Sequence, residues 1–354
     1  MFYRESGQYK TTYRADQAIF TIPQDRIFFG LLMVAAFVGV PLVATDYLYT
    51  ALIIPFLCLS LAALGLNILT GYCGQLSLGT GAFMGVGAVT AWNIAVRVPE
   101  LNLLVVFVLA GLVTAVIGMV FGLPSMRIKG FYLAVATLAA QFFLPWLFVK
   151  VGWFTNYNAS GVISVPGLTL FGWSIDTPVE KYLFALGVVA ILTLAAKNLV
   201  RSNPGRQWMA IRDMDIAAEI IGIRPVVAKL SAFAVSSFYV GIAGALYLFV
   251  YLGSAEPDGF GINLSFQALF MIIIGGLGSI LGAFLGAFFI LLLPIFLTQV
   301  PPALGFDLST ALVAHLEFMV FGALIVLFLI LEPHGLARLW QIAKEKLRIW
   351  PFPY

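Results

Sequence analysis

The sequence predicts an all-α polytopic membrane protein, on three observations. Of its 354 residues 62% are apolar and only 10% charged, with a mean hydropathy of +1.03, whereas a soluble domain carries roughly 25% charged residues. The apolar residues come in long runs such as Leu101 to Leu123, the length that a helical span of about 20 residues requires; a membrane β-barrel would alternate apolar and polar positions in segments of about ten. The basic residues, finally, gather in alternate loops. Two cysteines rule out a disulfide scaffold, and a net charge of +3 gives no argument for nucleic acid.

Residues 1–26 are polar, carry Arg4, Lys10, Arg14 and Arg26, and lack the apolar core of a signal peptide. They read as a cytoplasmic segment ahead of a first span that is retained. From 27 to 332 the chain reads as a transmembrane domain, with helices expected at about 27–45, 47–70, 75–96, 101–124, 131–149, 181–200, 230–252, 266–298 and 311–331. The run from Phe266 to Thr298 is too long for one crossing and is cut by Gly275, Gly276 and Gly278. It is expected to form two pieces, the first of about ten residues and half a membrane deep. The expectation is about 8 full transmembrane helices plus discontinuous or re-entrant glycine-rich segments.

Orientation follows from the retention of Lys and Arg on the cytoplasmic side. With the N-terminus inside, sixteen of the nineteen basic residues face the cytoplasm and only Arg97, Lys150 and Lys181 face out. Both termini are therefore expected to be cytoplasmic, with 333–354 a basic C-terminal tail. The outer loop 152–180 holds Trp153, Asn156, Asn158, Pro166, Trp173 and Pro178, a composition suited to a partly ordered cap or an interfacial segment. The inner loop 197–229 carries six of the basic residues. Asn203-Pro204 reads there as an N-cap followed by proline at the first helical position. Asp213 falls on the apolar stripe of Met209, Ile216, Ile220 and Ile223, which predicts two short helices instead of one.

One stretch stands apart. Between Gly71 and Gly87 there are six glycines in 17 residues, with Asn67, Gln75, Ser77 and Thr80 in or beside it. That is poor material for a straight helix in lipid, and irregular backbone at membrane depth is tolerated only where protein buries it or water lines it. Asn67, Gly71, Gly74, Gln75 and Ser77 are accordingly candidates to line a solute path, with close packing as the alternative; for Gly81 to Gly87 packing of the small-residue kind is the better reading. The glycines recur. Gly74, Leu76, Gly81, Ala82, Phe83 and Gly85 match Gly275, Leu277, Gly282, Ala283, Phe284 and Gly286 at one constant offset, sharing Gly-Ala-Phe-x-Gly. Such duplications in transporters put the path between the halves, which adds Gly275, Gly276 and Gly278 to the candidates. The charges leave the sense of the repeat, parallel or inverted, open.

Taken together, several segments resemble a known family. Asn67 to Gly85, Arg127-Ile-Lys129-Gly130 through Leu138, Asn203-Pro-Gly-Arg206 through Asp213, Ala217 to Ile223, Gly241 to Tyr247 and Gly275 to Ser279 are similar, in order and spacing, to the LivM-type branched-chain amino-acid permeases of bacterial ABC importers. The resemblance spans about residues 50–330. It implies a permease subunit in the bacterial inner membrane that moves branched-chain or other small hydrophobic amino acids. It also implies the partners: a second homologous permease subunit, two cytoplasmic ATP-binding subunits and a periplasmic or extracellular solute-binding protein. The inner loop would dock an ATPase through a segment resembling Glu-Ala-Ala-x-x-x-Gly. Ala217, Ala218 and Gly222 fit its register, Ile216 stands at the Glu position, and Arg206, Arg212 and Asp213 are the charges that would fix the contact. The alternative is a solvated basic loop that only obeys topology.

No phosphate-binding Gly-x-x-x-x-Gly-Lys-Ser/Thr loop occurs. The chain is therefore expected to bind no cofactor itself, with ATP used by its partner subunits, and no hydrolase motif argues for an enzyme. Glu317 and His315 sit two positions apart, on different sides of a helix, so they are no metal pair; Glu317 is a functional candidate by its membrane setting or a residue that reaches the headgroups. Cys58 and Cys73 read as apolar fillers, and Tyr47, Trp153, Tyr251 and Trp340 as interface anchors. Competing readings are an ABC permease for urea, short amides or aromatic acids, and an ion-coupled secondary transporter.

Overall fold

Runs of apolar residues, broken at glycine and proline, set out a bundle of helices. The structure, a computed structural model, describes residues 11–12, 23–123, 132–158, 161–170, 172–303, 310–332 and 334–349. Most of the N-terminal segment and the Arg127-Ile-Lys129-Gly130 part of the motif series lie outside the described residues. The helices are α1 (23–43), α2 (Asp46–Tyr72), α3 (Thr80–Arg97), α4 (Leu103–Gly122), α5 (Tyr132–Lys150), α6 (Pro178–Arg201), α7 (Asn203–Ile220), α8 (Pro225–Leu252), α9 (Ile262–Gly275), α10 (Ile280–Ala303), α11 (Thr310–Leu331) and α12 (Gly335–Ile349). Among the described residues eight are long and apolar enough to cross a membrane: α1, α2, α4, α5, α6, α8, α10, and α9 together with the 3-10 turn Pro257–Phe260 before it. The fold is all-α and polytopic, as the composition requires.

Burial ranks the helices. The apolar window of α2 is 83% buried and that of α8 78%, whereas α1 has none buried. Lipid is as apolar as a leucine side chain, so helices associate through close packing and hydrogen bonds, and small residues provide the closeness here. Gly241 of α8 meets the Thr114 side chain of α4, and Gly87 of α3 lies against the backbone of Gly241. Gly244 rests on the Met84 backbone, and Gly118 on Ser237. Gly81 and Gly85 pack on Gly261 and Phe260, the role that their spacing predicted. Peripheral α1 is held by the Tyr182 hydroxyl, which donates to the Ala36 carbonyl at 2.7 Å.

The loop 152–180 forms a cap. Ile163–Ser164 (β1) pairs antiparallel with Ser254–Ala255 (β4), and Thr169–Leu170 (β2) with Trp173–Ser174 (β3). This cap is fastened to the end of α3: the Trp92 indole donates to Ser164 O at 2.7 Å, Asn93 Nδ2 to Phe154 O at 2.9 Å, and Arg97 lies 3.7 Å over the Trp153 ring. Helix α12 packs beside α9 and α10, and its Lys344 pairs with Asp25 of α1 at 3.1 Å.

Three expectations need correction. The cap of α7 is Ser202, in extended conformation, and Asn203 already lies in the helix with Pro204; Ser202 turns its hydroxyl back to Leu199 O, and Asn203 begins the helix in its place. The first piece of the long run is 14 residues, not ten, because the helix begins at Ile262, ahead of Phe266, taking in Asn263 and Ser265, and Ser265 has partners across the bundle. The run expected from 75 starts its helix at Thr80, since Gln75–Gly79 is irregular. Two short helices in the inner loop are observed: α7 is broken at Met214, whose φ of −161° and ψ of 99° are extended.

Candidate functional site

The glycine-rich stretch is a break between α2 and α3. Toward its end α2 widens into a π-helical turn, Ile68–Tyr72, and Gly74 takes a φ of +71°, a conformation that costs glycine little. Six residues later α3 begins, and its first amide groups have no partner within the helix. An unpaired amide in an apolar interior costs roughly 2–7 kcal/mol. Two of them, on Gly81 and Ala82, and the amide of Leu78 just before the helix find partners on other helices. Thr137 Oγ1 of α5 accepts from Leu78 N at 2.9 Å, Ser265 Oγ of α9 from Gly81 N at 2.7 Å, and Gln141 Oε1 of α5 from Ala82 N at 2.8 Å. The Ser265 hydroxyl donates in turn to Gln141 Oε1 at 2.6 Å, and Gln141 Nε2 to Phe260 O at 2.8 Å. Gln141 is the tenth residue of the 19 in α5, so α3 starts halfway along its neighbour.

The second break, between α9 and α10, is shorter. Gly276 and Gly278 take φ values of +121° and +73°. Asn67 of α2 holds the turn from both sides: its Oδ1 accepts from Gly278 N at 2.9 Å and its Nδ2 donates to Ser279 O at 2.7 Å. The Tyr72 phenol meets the backbone of Ile280, and His334 O at the start of α12 closes on Gly276. The two breaks therefore touch.

Arg212 of α7 sits on the junction. Its Nη1 donates to Gly71 O at 2.9 Å; a Cβ on Gly278 would lie 3.1 Å from the same nitrogen, and one on Gly74 would lie 3.0 Å from its Cγ. Asp213 Oδ1 accepts from Nε and Nη2, each at 2.9 Å. Three glycines thus form a socket for one guanidinium. The structure brings together Asn67, Gly71, Gly74, Gly276, Gly278, Arg212 and Asp213, which the sequence had placed in two separate groups.

The other candidates are dispersed. Gly275 packs on Gly282 and Gly286 between α9 and α10. Gln75 is half-buried and Ser77 buried, its hydroxyl 3.4 Å from Gly79 N. Arg206 and Ala217 are exposed, while Ala218 is buried in its own chain. Gly222 ends α7 with a φ of +90°, Ile223 N donating to Ala218 O at 3.0 Å, which is a Schellman closure. Around it Ile216, Met214, Ile221 and Ile220 are 62%, 65%, 74% and 81% exposed. His315 is exposed on α11. Sequence reasoning missed Thr137, Gln141 and Ser265. A glutamine in mid-span is a signal in its own right, and Gln141 gave it.

The chain matches the family model described as branched-chain amino acid transport system / permease component over residues 48–329. It is 30% identical over 296 residues to the high-affinity branched-chain amino acid transport system permease protein LivM of Salmonella typhimurium, a match covering 77% of this chain and 66% of that one. The protein of the same description from Escherichia coli is 29% identical with the same coverage. A probable branched-chain amino acid transport permease protein LivM of Methanocaldococcus jannaschii is 25% identical over 246 residues, 66% of this chain and 68% of that one. The chain thus spans about 66% of the length of the first two relatives. No solved structure matches it at comparable stringency.

Proposed function

This chain belongs to the branched-chain amino acid permease family, a multi-pass protein of the bacterial inner membrane, and we propose on that premise that it is the permease subunit of an ATP-driven importer. Its solute would be a branched-chain or other small hydrophobic amino acid; branched-chain amino acids are the class named in the descriptions of its relatives. A second homologous permease subunit would complete the pore, a solute-binding protein would deliver from outside, and two ATPases would dock inside. Both termini would then be cytoplasmic. The observation that supports the ATPase contact most directly is the second half of α7. Four large apolar side chains, Met214, Ile216, Ile220 and Ile221, are exposed there while Trp208 and Ile211 of the first half are buried, and such patches mark interaction surfaces. In this reading Ile216, Ile220 and Ile221 enter the ATPase groove while Arg206 and Arg224 ring them. Gly222 terminates the docking helix. Gln75 and the open side of Gly74 would face the solute path, and Asn67 and Ser77 would hold its wall.

Reconstitution in vesicles tests this. With both ATPases, the second permease subunit and the binding protein, uptake of leucine, isoleucine or valine is expected to require ATP, and Ile220→Asp is expected to abolish co-purification of the ATPases while the chain stays membrane-inserted. Robust gradient-driven uptake by the chain alone would overturn the reading in favour of a secondary transporter.

A further inference from the structure

We infer that Arg212 is the positioning residue that transmits motion of the inner loop to both helix breaks at once. The inference rests on the importer reading and deepens it. A charged pair at an ATPase-docking loop would be expected to face the partner. Arg212, with 38% of its side chain exposed, instead lays its head group on its own chain: it donates to the Gly71 carbonyl at the end of α2 and lies against Gly278, the turn into α10. Helix ends leave carbonyls without an intrahelical partner, so Gly71 O is free to take a charged donor from outside its helix, and a charge-assisted bond of this kind is stronger than a neutral one. Asp213 holds the guanidinium on its other edge, fixing its plane.

The position along α7 makes this a linkage. Arg212 and Asp213 end the first half of the helix, and the extended Met214 separates them from the half that carries Ile216 and Ile220. A force on the second half acts through that joint on Arg212. From there it reaches α2 through Gly71, and α10 both through Gly278 and through Asn67, whose side chain ties the two breaks. Glycine suits the socket because added methyl groups at Gly74 and Gly278 would sit tightly, 3.0 and 3.1 Å from Arg212 atoms, and one at Gly71 would run into Asn67 Oδ1 and Gly278 N. Lys is a poor substitute, since a point charge on a flexible stem cannot serve Gly71 and Asp213 in one fixed plane.

The complete importer tests the inference, with Arg212→Ala, Arg212→Lys and the unsubstituted chain. The expected result for Arg212→Ala is normal assembly and hydrolysis near the unsubstituted rate, while solute moved per ATP falls about tenfold or more, within the roughly 5–150-fold range of allosteric couplings; Arg212→Lys recovers part of it. A purely structural role would lower transport and hydrolysis together and leave that ratio unchanged. Spin labels on Leu277, beside the second break, and on Trp173 of the outer cap give a second readout: ATP shifts their distance in the unsubstituted chain and leaves it unmoved in Arg212→Ala. An unchanged ratio, a retained shift, or loss of ATPase binding in Arg212→Ala would overturn the inference. Failure of the unsubstituted chain to bind ATPases would overturn the importer reading and this inference with it, and is told apart because no substitution is involved.

Discussion

The two breaks carry the same residue pattern and share Arg212, but differ in what holds the start of the helix that follows. At the first, the start of α3 is sealed by side chains of α5 and α9, from within the bundle. At the second, Gly276 and Gly278 are closed by His334 O at the start of α12, by Arg212 of the inner loop and by Asn67. The repeat is therefore one of sequence and of secondary structure, helix, break and helix, but not of position. Gly81, in the first turn of α3, lies beside Gly261 and Ser265, whereas Ile280 at the start of α10 lies beside Tyr72. Gly-Ala-Phe-x-Gly specifies that a helix can begin with its backbone close to a neighbour; the neighbours decide whether the start is a fixed joint or a movable one.

Substitutions separate the two. Gln141→Leu strands Ala82 N, Phe260 O and the Ser265 hydroxyl together, and is expected to cost about 3–5 kcal/mol, since each buried group left unpaired costs roughly 1–3 kcal/mol. Equilibrium unfolding in mixed micelles measures it, and a loss under about 1 kcal/mol would mean that the first break is not a fixed joint. Asn67→Leu strands only Gly278 N and Ser279 O, so about 2–3 kcal/mol is expected by the same measurement.

Much of this was legible in the residues. Glycine clusters located both breaks, and Asp213 on an apolar stripe announced the split in α7, because backbone freedom and helical period are local properties. What was not legible is which groups close each break. Gln141 and Ser265 are single polar residues in apolar helices, and their partners lie 59 and 184 positions away; periodicity contains no such information. Arg212 was assigned to a partner because its charge fits a loop, and only the packing against Gly74 and Gly278 lays it on its own chain. The extent of α9 was hidden because Asn263 and Ser265 interrupt the apolar residues at its start, so the unbroken run begins only at Phe266.

Smaller effects sharpen the contrast. Gly276→Ala forces a side chain into a φ of +121° and against His334 O at 2.5 Å, at an expected cost of about 1–3 kcal/mol. If the second break is movable, α12 swings away and relieves part of this strain, so proteolysis or hydrogen exchange at Gly335 to Leu339 rises while exchange in α3 is unchanged. Lys344→Ala removes a half-exposed ion pair to Asp25 and is expected to change stability by at most about 1 kcal/mol. A larger loss would make α12 a clamp and not a follower.

The sealed start of α3 also bears on how the chain is assembled during synthesis. Helix α3 is not among the helices long and apolar enough to cross a membrane, and the side chains that satisfy its first amides are made 59 and 184 residues after it. When α3 leaves the ribosome nothing yet exists to accept from Gly81 and Ala82. Its stable integration has to wait for α5 and then α9, so a nascent chain truncated before Ser265 would hold α3 exposed to alkali extraction and proteases, and the order of translation becomes an order of membrane insertion.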